Sequence, residues 1–202
     1  MPTTAPAPTA APPASATEQQ FISSVTADLQ NRFGTTVQAA AAGYFRYTNE
    51  DNTGAISWVN TSYWKSDPKH PSQLWYDVNG KLIGADFSIP MADSKTTPTL
   101  WGMSASRWLT FEHHAHFGVK TASGIQFGGV GPKGMAKIGG SLSNPTKEDV
   151  VKLGKAKSVS DVAFVFEFPA IWDIEIWLVP NPLGAFAEHN PNVKPSANAE
   201  SM

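Results

Sequence analysis

Ile171-Trp172-Asp173-Ile174-Glu175-Ile176-Trp177-Leu178-Val179 alternates in character residue by residue. A period of two marks a β-strand whose two faces meet different surroundings. Ile174, Ile176 and Leu178 share one face; Asp173, Glu175 and Trp177 share the other. Just before it, Val162-Ala163-Phe164-Val165-Phe166-Glu167-Phe168 places four large apolar groups on one face and Glu167 on the other. Both strands are expected to be central.

Further back lies Phe111-Glu112-His113-His114-Ala115-His116-Phe117, with three of the chain's five histidines. Read as part of a strand over 107–120, it puts Glu112, His114 and His116 on one face and His113 on the other with Phe111 and Phe117. Two imidazoles two residues apart can reach one point, and neutral imidazole with carboxylate is a common donor set for zinc, copper, iron or manganese. Glu175 lies mid-strand in an apolar segment, and a buried carboxylate needs a partner or a proton. The expected metal ligands are therefore His114, His116 and Glu175, with Glu112 or His113 as a further ligand. Solvated histidines on an outward sheet face and a solvent-facing Glu175 are the competing reading. Glu167 is expected on a solvated face.

Gln73-Leu74-Trp75-Tyr76-Asp77-Val78, Asn79-Gly80 and the run from Lys81 to Ile89 form the clearest hairpin, since Asn-Gly suits the positive φ angles of a tight turn. Tyr44-Phe45-Arg46-Tyr47 and Ile56-Ser57-Trp58-Val59-Asn60 read as earlier strands. Toward the N-terminus, Phe21, Val25 and Leu29 recur every fourth residue, which predicts a helix from Glu18 capped by Thr17, with Gln20 at the capping-box spacing and Gly34 at its end. A second short helix is predicted over 37–42, capped by Thr36, and another over 147–153. Gly129, Gly131 and Gly134 satisfy GxGxxG, but Pro132 and the Gly139-Gly140 pair are expected to spoil a helix start, so a dinucleotide site is rejected.

The 202 residues suffice for one domain with its own core. A net charge of -2 without a basic run excludes a nucleic-acid surface. The absence of cysteine excludes disulfides, thiol catalysis and cysteine-ligated zinc. Residues 162–180 are the most apolar, yet Glu167, Pro169, Asp173 and Glu175 interrupt them, so no transmembrane helix of ~20 residues is expected. Residues 1–16, almost all Ala, Pro and Thr, read as a disordered tether of the kind that follows a cleaved export signal. Residues 17–195 are the expected globular domain, and 196–202 a disordered tail.

Two stretches resemble an uncharacterised family of small exported bacterial proteins. One runs from Trp58-Val59-Asn60 through Asp67-Pro68, Pro71, Leu74-Trp75-Tyr76-Asp77 and Leu82-Ile83-Gly84 to Pro90 and Leu100-Trp101-Gly102. The other is Trp177-Leu178 followed by Asn181-Pro182-Leu183-Gly184-Ala185-Phe186-Ala187 and Asn190-Pro191-Asn192-Val193, an NPxGxFAxxNPxV motif. The resemblance implies a secreted or periplasmic setting and one compact domain. It also implies histidine where Ser57 and Glu175 stand here.

The predicted class is α+β: a twisted, mostly antiparallel sheet or barrel-like sandwich flanked by N-terminal helices. A cupin is the runner-up, though Val119, Lys120, Thr121 and Ala122 stand where its metal glutamate belongs. The expected function is that of an exported metal-binding protein holding a divalent transition metal (zinc, copper or iron), whose bound water would serve as nucleophile or redox ligand. Two alternatives stay open: a module binding a small apolar ligand in a Trp- and Phe-lined cavity, and a structural protein of the cell envelope.

Overall fold

The computed structural model describes residues 9–65 and 67–200. Residues 1–8 of the expected tether and 201–202 of the expected tail lie outside them. Helix α1, Ala16–Phe33, begins two residues before the expected start. Its cap is Ser15, whose Oγ accepts from the Glu18 N–H while the Glu18 carboxylate accepts from the Ser15 N–H. This is the same capping box displaced toward the N-terminus, because Glu satisfies the cap N–H as a charged acceptor. Helix α2, Thr36–Ala41, is capped by Thr35 rather than Thr36.

Among the described residues nine strands follow: β1 Phe45–Glu50, β2 Ile56–Val59, β3 Gln73–Tyr76, β4 Leu82–Pro90, β5 Leu109–Phe111, β6 His114–Thr121, β7 Gly124–Val130, β8 Val162–Phe168 and β9 Ile171–Trp177. Six form one antiparallel sheet in the order β1-β2-β3-β4-β9-β5, and three form a second in the order β7-β6-β8. The α+β, sandwich-like class read from the periodicity is the architecture found. The β3–β4 turn has Gly80 at φ +75°, and Asp77 Oδ1 accepts from the N–H groups of Asn79 and Lys81.

Alternation decides what each face of the large sheet meets. Leu74, Tyr76, Ala85, Phe87, Ile174 and Ile176 pack with Val25, Leu29 and Phe33 of α1 into the main core. The Tyr76 hydroxyl donates to the Phe33 carbonyl at 2.7 Å, tying helix to sheet. The opposite face carries Trp75, Asp86, Asp173, Glu175 and Trp177. The small sheet faces this side. It is joined to the β5 edge by Glu112-His113 and packs on the β1 edge, where the Phe45 ring centroid lies 5.3 Å from that of Phe164 and 5.5 Å from that of Phe166.

Four expectations are corrected. The histidine strand is not continuous: Glu112 and His113 belong to neither ladder, because the chain changes sheets there. Pro132 opens a short helix, α3 Pro132–Lys137, instead of blocking one; at the first helical position its missing N–H costs nothing. Residues 9–14 are held: Ala11 N–H donates to the Leu183 carbonyl at 2.8 Å and Arg107 Nη2 to the Pro12 carbonyl at 2.9 Å. Residues 196–200 are held as well. Ser196 N–H donates to Glu50 Oε1 at 2.7 Å, and Glu200 N–H donates to the Glu50 carbonyl at 2.8 Å. Backbone partners and two side chains distant in sequence, Arg107 and Glu50, fix both segments. Helix α4, Lys147–Lys152, stands where expected, capped by Thr146.

The two asparagines of the C-terminal motif are turn clamps. Asn181 Oδ1 accepts from the Leu183 N–H at 3.0 Å, and Asn190 Oδ1 from the Asn192 N–H at 3.0 Å. Trp177 Nε1 donates to the Ala187 carbonyl at 2.7 Å and draws this coil against β9.

Candidate functional site: an acidic cavity with a histidine wall

Between the sheets lies a cavity of about 390 Å³. Three carboxylates converge on it from adjacent strands. Asp86 of β4 is the direct cross-strand partner of Glu175 on β9, and Asp173 lies two residues from Glu175 on the same face. Each presents an oxygen, and the three oxygens lie within 4.8 Å of one another. Asp86 is 4% exposed and Asp173 1%.

The surroundings satisfy only part of this set. Trp75 Nε1 donates to Asp86 Oδ2 at 3.0 Å, and Ser88 Oγ to Asp173 Oδ1 at 2.7 Å. Ser72 Oγ stands 2.5 Å from Ser88 Oγ and holds it in place. Asp86 Oδ1 and Asp173 Oδ2 are buried and have no hydrogen-bond partner among the described residues. Among the described residues, no lysine or arginine lines the cavity. Burial, then the charges of Asp173 and Glu175, pushes Asp86 well above the usual carboxylate range. Burial raises Asp173 to about 7 against the Ser88 bond, and burial with the charges of Asp173, Glu188 and Asp51 raises Glu175 to about 8. Near neutral pH the trio therefore holds protons or needs a cation.

His114 and His116 form the facing wall with Phe111, Phe168 and Tyr47. Their Nε2 atoms are 2.9 Å apart. His114 Nδ1 is 2.6 Å from the Glu112 carbonyl. Burial lowers His114, and burial together with the neighbouring His114 takes His116 down to about 3, which favours the neutral form of each ring. Tyr47 stands between wall and floor. Its ring meets His116 edge-on at 4.7 Å, and its hydroxyl donates to Gln73 Oε1.

The structure thus brings His114, His116 and Glu175 into one cavity, but not into one ligand set. Among the described residues, Asp86, Asp173 and Glu175 are the group of three or more whose ligand atoms lie within 4.8 Å of one another. Glu112 is exposed in the link between sheets and contributes only its carbonyl, to His114. His113 turns to the other side, its Nε2 3.0 Å from Glu167 Oε1. Asp86 and Asp173 were not predicted as ligands. The signals were present: Asp173 shares the Glu175 face, and Asp86 is a lone charge in Leu82-Ile83-Gly84-Ala85-Asp86-Phe87.

No family model, no curated protein and no solved structure matches the chain.

Proposed function

We propose that this protein binds a divalent metal ion in the cavity between its sheets, with Asp86, Asp173 and Glu175 as the oxygen ligands. The observation that carries the reading is the convergence of three carboxylates with two buried oxygens, Asp86 Oδ1 and Asp173 Oδ2, that nothing else among the described residues satisfies. An all-oxygen set suits a hard ion such as manganese, magnesium or calcium better than the zinc, copper or iron expected from the histidines. The remaining coordination positions would face the cavity, open to water or substrate. That opening is what a metal-dependent enzyme requires. The exported setting implied by the family resemblance belongs to the same proposal.

Titration of chelator-treated protein with Mn²⁺, followed by electron paramagnetic resonance, tests the reading. One ion per chain is expected, with binding weakened at least tenfold in Asp173→Asn and Glu175→Gln. Failure of Mn²⁺, Mg²⁺ and Ca²⁺ at millimolar concentration to bind at pH 8 would refute it.

The aromatic walls support a second reading, binding of a small organic cation. Trp75, Trp177, Phe111 and Phe168 line the same cavity as the carboxylates, and aromatic faces attract cations. The three carboxylates weigh against the purely apolar ligand.

A further inference from the structure

His114 and His116 leave the same face of β6, and their Nε2 atoms meet at 2.9 Å. A neutral imidazole has one N–H and one lone pair. In His114 the Glu112 carbonyl, 2.6 Å from Nδ1, takes the proton there, which leaves the Nε2 lone pair aimed at His116. The His116 Nδ1 edge runs along Gly129. A proton on His116 Nε2 lets it donate to the His114 lone pair, and a metal ion taking the place of that proton would bind both Nε2 lone pairs. An Nδ1–H anchored on a backbone carbonyl is also the usual outer contact of a metal-ligating histidine.

The rings are fixed from both sides. Phe168 stacks on His114 at 4.3 Å between centroids, and His116 lies between the stacked Phe166 at 5.6 Å and the Tyr47 edge. No third histidine, aspartate or glutamate among the described residues offers a ligand atom within 4.8 Å of both rings. The donors are neutral nitrogens, unlike the oxygens on the cavity floor.

We propose that His114 and His116 form a second metal site, selective for a nitrogen-preferring transition ion of the zinc and copper class. It is separate from the Asp86, Asp173 and Glu175 trio. Nitrogen donors favour borderline and soft ions where carboxylates favour hard ones, so one cavity holds two sites of different selectivity. The setting rests on the reading of the cavity as cation-binding, but the ligands are independent of it. The open positions of this ion face the same cavity as those of the first.

The test uses the full chain, stripped with chelator and titrated with Co²⁺ by visible absorption and with Zn²⁺ by calorimetry. Wild type is compared with His114→Ala, His116→Phe, Asp173→Asn and Glu175→Gln. His116→Phe keeps an aromatic ring between Phe166 and Tyr47, so the fold survives loss of the nitrogen. A Co²⁺ ligand-field band that Zn²⁺ displaces is expected in wild type and both acid variants. It should disappear in both histidine variants, while Mn²⁺ affinity in those variants changes less than threefold. Absence of the band in wild type overturns the proposal. So does its loss in the acid variants as well as the histidine variants, which would mean one mixed site. A histidine-dependent band in a protein that takes no Mn²⁺ upholds this site and sinks the carboxylate one.

Discussion

Asp86 and Glu175 are direct cross-strand partners on β4 and β9, two acidic residues facing each other with no lysine or arginine among the described residues that line their cavity. Like charges so placed destabilise a sheet. Asp173, one step along the same face, adds a third. A protein folded only for stability would replace such a set. Its presence beneath an open cavity is the strongest pointer to function in the molecule.

Asp173→Asn removes one buried charge, and its amide can donate toward the unpartnered Asp86 Oδ1. Metal-free Asp173→Asn should therefore be more stable than wild type at pH 8. The gain is about 1–3 kcal/mol, and each kcal/mol raises Tm by about 2–4 °C in a chain of this size. Differential scanning calorimetry in chelator checks this, and added Mn²⁺ should stabilise wild type more than the variant.

Stability of the metal-free protein should fall as pH rises. Asp173 and Glu175 titrate at about 7 and about 8 when folded, above their ordinary values of 3.8 and 4.5. The folded state then holds more protons than the unfolded one between those limits. Its advantage is complete below pH 4 and is lost as pH climbs through 7 to 8. Each extra proton corresponds to about 1.4 kcal/mol per pH unit. Urea unfolding at pH 5, 6.5 and 8 reads the slope; saturating Mn²⁺ should flatten or reverse it, because the ion competes with the protons.

Gly84→Ala should damage the cavity floor from a distance. A Cβ at Gly84 would stand 2.0 Å from Trp75 Cε3, and Trp75 Nε1 holds Asp86. Moving the indole costs about 1–3 kcal/mol in overpacking and frees the Asp86 carboxylate. Chemical denaturation should show the loss, and Mn²⁺ titration a weaker affinity.

Arg107 and Glu18 are a buried pair 3.2 Å apart, and Arg107 also binds the Pro12 and Pro13 carbonyls. Burial would push Glu18 up, but Arg107, with Ser15 and Ser104, holds it down at about 2. Its contribution is therefore present above about pH 4.5 and is lost as pH falls toward 2. Arg107→Met should cost about 3–5 kcal/mol by leaving that carboxylate unpaired. Adding Glu18→Gln should recover part of the loss, which a double-mutant cycle in urea measures. Protease cleavage within residues 9–14 should speed up in Arg107→Met.

Periodicity in the sequence was enough to locate most elements, because alternation and i, i+4 spacing are local consequences of backbone geometry. The β3–β4 hairpin was legible in Asn79-Gly80, and β9 in its alternation. The helix starts slipped by one or two residues because Ser15 and Thr35 cap better with the acceptors that lie three positions on. The break at Glu112-His113 was invisible, since nothing local tells a strand that its next residues join another sheet.

What the sequence determined alone was the class, the two faces of β9 and the histidine pair on β6, each set by residues two to four positions apart. What only the tertiary structure decided was which chemistry meets which. Asp86 and Glu175 are far apart along the chain, and only the β4–β9 register makes them neighbours. The same holds for the small sheet, which brings His114 and His116 over that floor. Strand pairing is a long-range choice made by burial of the whole core, so the ligand set it creates could not be read from any single stretch of residues.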